Sequence, residues 1–233
     1  MTLAAAALSE EAVCFMEELI DRLTPSEELA GQQAYYRLAR AQFGRHMRFA
    51  DLTTALWAAS TLIRPSDYLE IGVRRGRSAC VVGATNPECA ILGFDLWLPD
   101  YAGVPNPGPG FVRSELEGVG HQGSVELVSG DSRESVPAYF AEHPDAFFDI
   151  ITVDGDHTAL AAATDLANVL PRLKVGGILL FDDIVQRPAL RGVWERLVKR
   201  DSRYVTWEYT DAGDGVAAAI RIGDGPMLHW RDQ

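Results

Sequence analysis

Cysteine is scarce in this sequence: Cys14, Cys80 and Cys89 are all there is, with no C-x-x-C pair and one residue left over. That argues against a disulfide framework, and reduced thiols in a cytoplasmic protein are the simplest reading. No Cys/His set has the spacing that zinc requires. Basic residues are few as well, 21 Lys and Arg against 33 Asp and Glu, giving a formal net charge of -12. Such a surface does not grip nucleic acid or an anionic membrane through non-specific charge, although a local basic pocket stays open. No apolar run is long enough to span a bilayer. The opening MTLAAAALSEEAV lacks a basic n-region and turns acidic at once, which makes a poor signal peptide. An internal repeat is missing, and so is the G-x-G-x-x-G dinucleotide fingerprint.

What remains is the material of a packed domain. Hydrophobic residues make up 47% of the 233 and charged residues 23%, enough for one α/β domain with a short accessory segment. Residues 9–23 read as an amphipathic helix capped by Ser9. The stretch Thr24-Pro25-Ser26-Glu27 reads as a second helix start, with Thr24 as cap and Pro25 in the first turn. Asp51 opens a third helix, DLTTALWAASTLI. These helices define an N-terminal extension over residues 1–64, a candidate lid or homo-oligomer contact, with plain packing against a sheet as the alternative.

From residue 65 to 233 the pattern changes. The β-rich runs DYLEIGV, ILGFDLW, SVELVSG, FDIITVDG and GGILLFDD alternate with helical stretches near 76–84, 111–120, 132–142, 158–172 and 188–200. Alternation of this kind implies βαβ crossovers and a parallel sheet covered on both faces. RYVTWEYT and GVAAAIRI, separated by DAGDG, read as a closing hairpin. The expectation is a seven-stranded, mostly parallel sheet with its last strand antiparallel. Residues 98–110 (LPDYAGVPNPGPG) look too rich in Pro and Gly for regular structure and suit a mobile cover, with Trp97 and Tyr101 near it as candidate pocket linings or, equally, aromatic packing against the sheet.

Chemistry gathers at the strand ends. The first strand runs into Glu70-Ile71-Gly72-Val73-Arg74-Arg75-Gly76, where glycines permit a ligand to approach the backbone closely. The G-x-x-x-G spacing disfavours a pyrophosphate, and Glu70 fits an amine-bearing cofactor better. Asp95 ends the second strand, where a carboxylate can accept from ribose hydroxyls; it is equally suited to a turn. Asp131 and Ser132 follow the third, either near an adenine edge or as the next helix's cap. Asp154 and the pair Asp182-Asp183 close the fourth and fifth runs. If those strands are neighbours, three carboxylates meet at one edge and need a proton or a cation between them. Oxygen ligands suit a hard ion such as Mg²⁺. His157, three residues beyond Asp154, is a candidate general base for a hydroxyl.

Together, EIGVRRGRSA, GFDLW, GDSRES, FDIITVDGDH and LKVGGILLFDDI resemble class I S-adenosylmethionine-dependent methyltransferases. The narrower resemblance is to the small-molecule branch of macrocin-type sugar O-methyltransferases and cephalosporin-hydroxylase-like proteins. It covers about residues 66–222 and implies a Rossmann-like sheet in the order 3-2-1-4-5-7-6. It also implies a cofactor site in which Gly72 and Gly76 hug S-adenosylmethionine, Glu70 supports the loop, Asp95 takes the ribose and Asp131 lies near adenine. Catechol-type relatives carry Asp-Asn where this chain has Asp182-Asp183, and a lysine where it has His157. The implied function is metal-assisted O-methylation of a small-molecule hydroxyl on a sugar, a catechol or a natural product. A hydroxylase-like helper of another reaction and a non-catalytic cofactor-binding module are the alternatives. A nicotinamide oxidoreductase is disfavoured by the absent fingerprint.

Overall fold

A computed structural model describes residues 2–44, 50–101, 103–211 and 213–224. The sheet strands are β1 (Asp67–Ile71), β2 (Ala90–Asp95), β3 (Val125–Ser129), β4 (Phe148–Val153), β5 (Leu173–Phe181), β6 (Tyr204–Tyr209) and β7 (Val216–Arg221). In these labels their order is 3-2-1-4-5-7-6, as expected, and β7 alone runs opposite to the other strands. Residues 98–110 depart from expectation. Asp100–Tyr101 and Val104–Pro105 form a two-residue antiparallel ladder outside the main sheet, and a helix already starts at Pro109. Pro109 tolerates that position because the first helical turn needs no amide donor there.

Nine helices are described: α1 (Leu3–Ala7), α2 (Glu10–Ile20), α3 (Glu27–Phe43), α4 (Leu52–Ile63), α5 (Arg77–Thr85), α6 (Pro109–Gly118), α7 (Ser132–Glu142), α8 (Ala159–Val169) and α9 (Pro188–Trp194). Ser9 caps α2 and Asp51 caps α4 through a capping box with Thr54, as read from the sequence. The α3 start is a correction. Ser26, not Thr24, is the cap, because the Thr24 amide and hydroxyl both donate to the buried carboxylate of Glu115 on α6. The region expected as one helix over 188–200 leaves α-geometry after Trp194 and finishes as a wider π-turn over Glu195–Lys199.

The sheet has a core on each face, and the period-two pattern of its central strands assigns residues to them. Ile150, Ile178 and Leu180 join one cluster, with Met16, Leu19, Leu56 and Ala59 of α2 and α4 and Val81 of α5. Ile151, Val153, Leu179 and Phe181 join the other, with Leu166 of α8 and Trp194 of α9. The N-terminal helices thus pack into the core of one face. Cys80 and Cys89 are buried, as small apolar side chains usually are, and the three cysteines are free. Among the described residues no helix is long and apolar enough to cross a membrane.

Candidate active site

Register brings the predicted residues to one edge. Ile71 pairs with Phe94 and Val153, Val153 with Phe181, and Asp95 with Ser129. Every residue that follows a strand in this set therefore emerges at the carboxyl edge, where open α/β sheets bind ligands.

Gly72 is required by its own chain. It has φ +93°, and a Cβ placed there would stand 2.0 Å from the carbonyl oxygen of Asp154. The loop after β1 and the acid ending β4 are thus in direct contact. Gly76, at φ +77°, precedes α5, and its Cβ position is filled by Val112 of α6.

Glu70 is 1% exposed, and its carboxyl is pushed up to about 8, by burial first, against the opposing hydrogen bond from Ser78. Its Oε2 has no hydrogen-bond partner among the described residues. An orphaned buried acceptor of this kind fits an ammonium group. Asp95 accepts from two backbone amides, Arg74 N to Oδ2 and Trp97 N to Oδ1, both at 2.6 Å. It ties the glycine loop to the end of β2 and keeps further lone pairs for a ligand. Asp131 caps α7 by accepting from Arg133 N and pairs with the Arg133 guanidinium, which holds its carboxyl down at about 2. Ser132 begins the same helix.

The acids past β4 and β5 meet, together with the histidine. Ligand atoms of Asp154, His157 and Asp183 lie within 4.8 Å of one another. His157 Nε2 is 3.0 Å from Asp183 Oδ2 and 3.8 Å from Asp154 Oδ1. Its pKa is raised by hydrogen bonding to Asp154 first, then by the charge of Asp183, against partial burial. Asp183 is buried at 6% exposure and adopts φ +63°, a left-handed backbone uncommon outside glycine, which marks a site held by its surroundings. Its carboxyl is raised by burial, with His157 opposing. Asp182 is not a member of this mutually close trio. Its carboxyl is nevertheless held well above the usual range by burial and then by the charges of Asp154 and Asp183. The two carboxylates suit a hard divalent cation, whereas the imidazole would suit a borderline metal better. Behind them lies a cavity of about 10 Å³ lined by Val153, Asp154, His157, Phe181, Asp182 and Leu190.

Two features escaped the sequence reading, and a third resolved one of its alternatives. Asp165 of α8 is 0% exposed, lies against Gly155, and is pushed up to about 6 by burial. The available signal was an acid within the apolar stripe Ala161, Ala162, Leu166, Val169. Trp97, for which pocket lining and packing on the sheet were the two expectations, holds φ +53° and packs on the core, with its indole N–H buried and without a partner among the described residues. The Tyr101 side chain lies outside the described residues. Arg74 and Arg77 leave the glycine loop toward Glu28 of α3.

Residues 69–184 match a family model described as a methyltransferase domain. Over 92% of both chains, the protein is 25% identical to CalS11, a calicheamicin methyltransferase, with a TM-score of 0.57. Two more distant solved structures share the fold. One is the O-methyltransferase TomG from Streptomyces achromogenes, in complex with SAM (18% identity, 96% of this chain and 100% of that one, TM-score 0.63). The other is an O-methyltransferase from Bacillus cereus, in complex with SAH (16% identity, 91% and 99%, TM-score 0.59). With its sheet order, its glycine loop and this match, the chain carries a methyltransferase domain over residues 69–184.

Proposed function

We propose that the protein is an S-adenosylmethionine-dependent O-methyltransferase for a hydroxyl of a small molecule, assisted by a divalent cation. One observation carries this reading. The glycine loop at Gly72 abuts the carbonyl of Asp154, whose carboxylate stands with His157 and Asp183, so cofactor loop and acid cluster form one continuous site. CalS11 is described as a TDP-rhamnose 3'-O-methyltransferase, which supports a sugar hydroxyl as the acceptor and agrees with the macrocin-like motifs.

In this reading Glu70 and the Gly72–Gly76 loop hold the amino-acid end of the cofactor, Asp95 the ribose, and Asp131 with Ser132 the adenine side. The cofactor supplies an electrophilic methyl group; Mg²⁺, held by Asp154, Asp182 and Asp183, supplies positive charge that lowers the pKa of an acceptor hydroxyl. His157 takes the hydroxyl proton at its ring nitrogen. Asp154 and Asp183 orient that ring and stabilise the imidazolium it becomes. The remaining acceleration comes from alignment of the reacting atoms.

Calorimetry with S-adenosylhomocysteine tests the core of the proposal. Wild-type protein binds it, and Asp95→Ala binds it at least roughly tenfold more weakly, a loss of about 1.4 kcal/mol. No binding to the wild type would sink the cofactor assignment.

A further inference from the structure

The glycine loop is bracketed by a buried carboxyl and a pair of guanidiniums. On the strand side lies Glu70, buried, with one carboxyl oxygen unpartnered among the described residues. On the α3 side lie two guanidiniums. Arg74 adopts a left-handed backbone at φ +51°, with its amide fixed to Asp95, and Nη1 stands 3.2 Å from Glu28 Oε1. Arg77 begins α5; its Nη1 is 4.0 Å from that same oxygen and donates to Gln32 Oε1. One carboxylate oxygen thus lies within ion-pair reach of two guanidiniums, at side chains about one-third exposed (Arg74 32%, Arg77 33%, Glu28 32%).

A zwitterionic amino-acid end matches that arrangement, with its ammonium toward Glu70 and its carboxylate toward the arginines. We propose that Arg77, supported by Arg74, binds the cofactor's carboxylate, and that Glu28 is a resident anion which this carboxylate displaces. Guanidinium forks favour carboxylates, and the charge-assisted bonds they form are among the stronger ones. The inference rests on the S-adenosylmethionine reading above. Its consequence reaches the N-terminal helices. Gln32 stands one turn beyond Glu28 on α3 and also donates to the Tyr36 hydroxyl (3.1 Å) and to Asp51 Oδ2 (3.4 Å), the cap of α4. Cofactor occupancy is thereby coupled to α3 and α4, which lie outside the matched residues 69–184.

Two ligands that share a nucleoside separate this role from a structural one. S-adenosylhomocysteine carries the carboxylate, whereas 5'-methylthioadenosine lacks the amino-acid end. By calorimetry, Arg77→Gln is expected to weaken S-adenosylhomocysteine roughly tenfold or more, the loss of one charge-assisted bond, while changing 5'-methylthioadenosine by less than about twofold. Glu28→Gln, which removes the resident anion, is expected to tighten S-adenosylhomocysteine severalfold and leave 5'-methylthioadenosine unchanged. Equal losses for both ligands in Arg77→Gln, no loss for either, or weaker S-adenosylhomocysteine binding in Glu28→Gln would overturn the assignment. Wild-type protein that binds 5'-methylthioadenosine but gains nothing from the amino-acid end would overturn it too. Binding of neither ligand would overturn the cofactor reading and this inference with it.

Discussion

His157 Nε2 sits 3.0 Å from Asp183 Oδ2 and 3.8 Å from Asp154 Oδ1, clasped between the carboxylates that close two adjacent strands. The two acids stabilise the protonated ring and raise its pKa. The proton-accepting form is the neutral ring, so turnover should climb with pH through a pKa above the ordinary histidine value. His157→Gln should lower kcat by roughly 100-fold or more and remove that ascending limb. A full pH–rate profile of both proteins decides the point; an unchanged limb would dismiss His157 as the base.

Cation binding can be followed without turnover. Mg²⁺ at about 100 times its Kd should stabilise the wild type by about 2.7 kcal/mol, read as a rise in Tm. Asp154→Asn, Asp182→Asn and Asp183→Asn should each lose most of that rise. His157→Gln should keep it if the imidazole is a base and not a ligand. Because His157 is in the close trio and Asp182 is not, the reverse outcome for these two variants would exchange their roles.

Asp165 makes stability depend on pH. Its carboxyl is pushed from 3.8 in the unfolded chain to about 6 by burial. Below about pH 4 it is neutral in both states and costs nothing. Between about pH 4 and 6 the unfolded chain ionises first, so stability falls by on the order of 3 kcal/mol and then levels off. Denaturant titrations should therefore show wild type losing ground to Asp165→Asn as pH rises from 4 to 7. Parallel curves would show that the buried carboxyl carries no such penalty.

Glycine positions give a paired test of backbone geometry. Gly72→Ala puts a methyl group 2.0 Å from the Asp154 carbonyl at a positive φ, and should cost roughly 3 kcal/mol or more through overpacking and strain. Gly110→Ala, in α6 with nothing within 4 Å of its Cβ position, should be neutral or gain up to about 1 kcal/mol. Equal effects in a chemical-denaturation series would contradict the close approach at Gly72.

Local chemistry by itself determined the element order, the strand ends and the helix caps Ser9 and Asp51. Period-two apolar runs, glycines after β1 and Ser9 or Asp51 before apolar helical stretches are signals read within a few residues. Where the local code offered two answers, it failed. Thr24 and Ser26 both suit a cap, and a carboxylate 91 residues away, Glu115, settled the choice by engaging Thr24. The candidate site divides in the same way. Asp154, Asp182, Asp183 and His157 could be singled out one by one from their places after strands. Only the register of β4 beside β5, and the left-handed turn at Asp183, decided that Asp183 meets His157. Tertiary structure alone set Gly72 against Asp154, buried Asp165 beneath the site loop, and aimed Arg74 and Arg77 at Glu28. These relationships join segments separated by whole helices, and their distances follow from how sheet and helices pack, which no short stretch of sequence encodes.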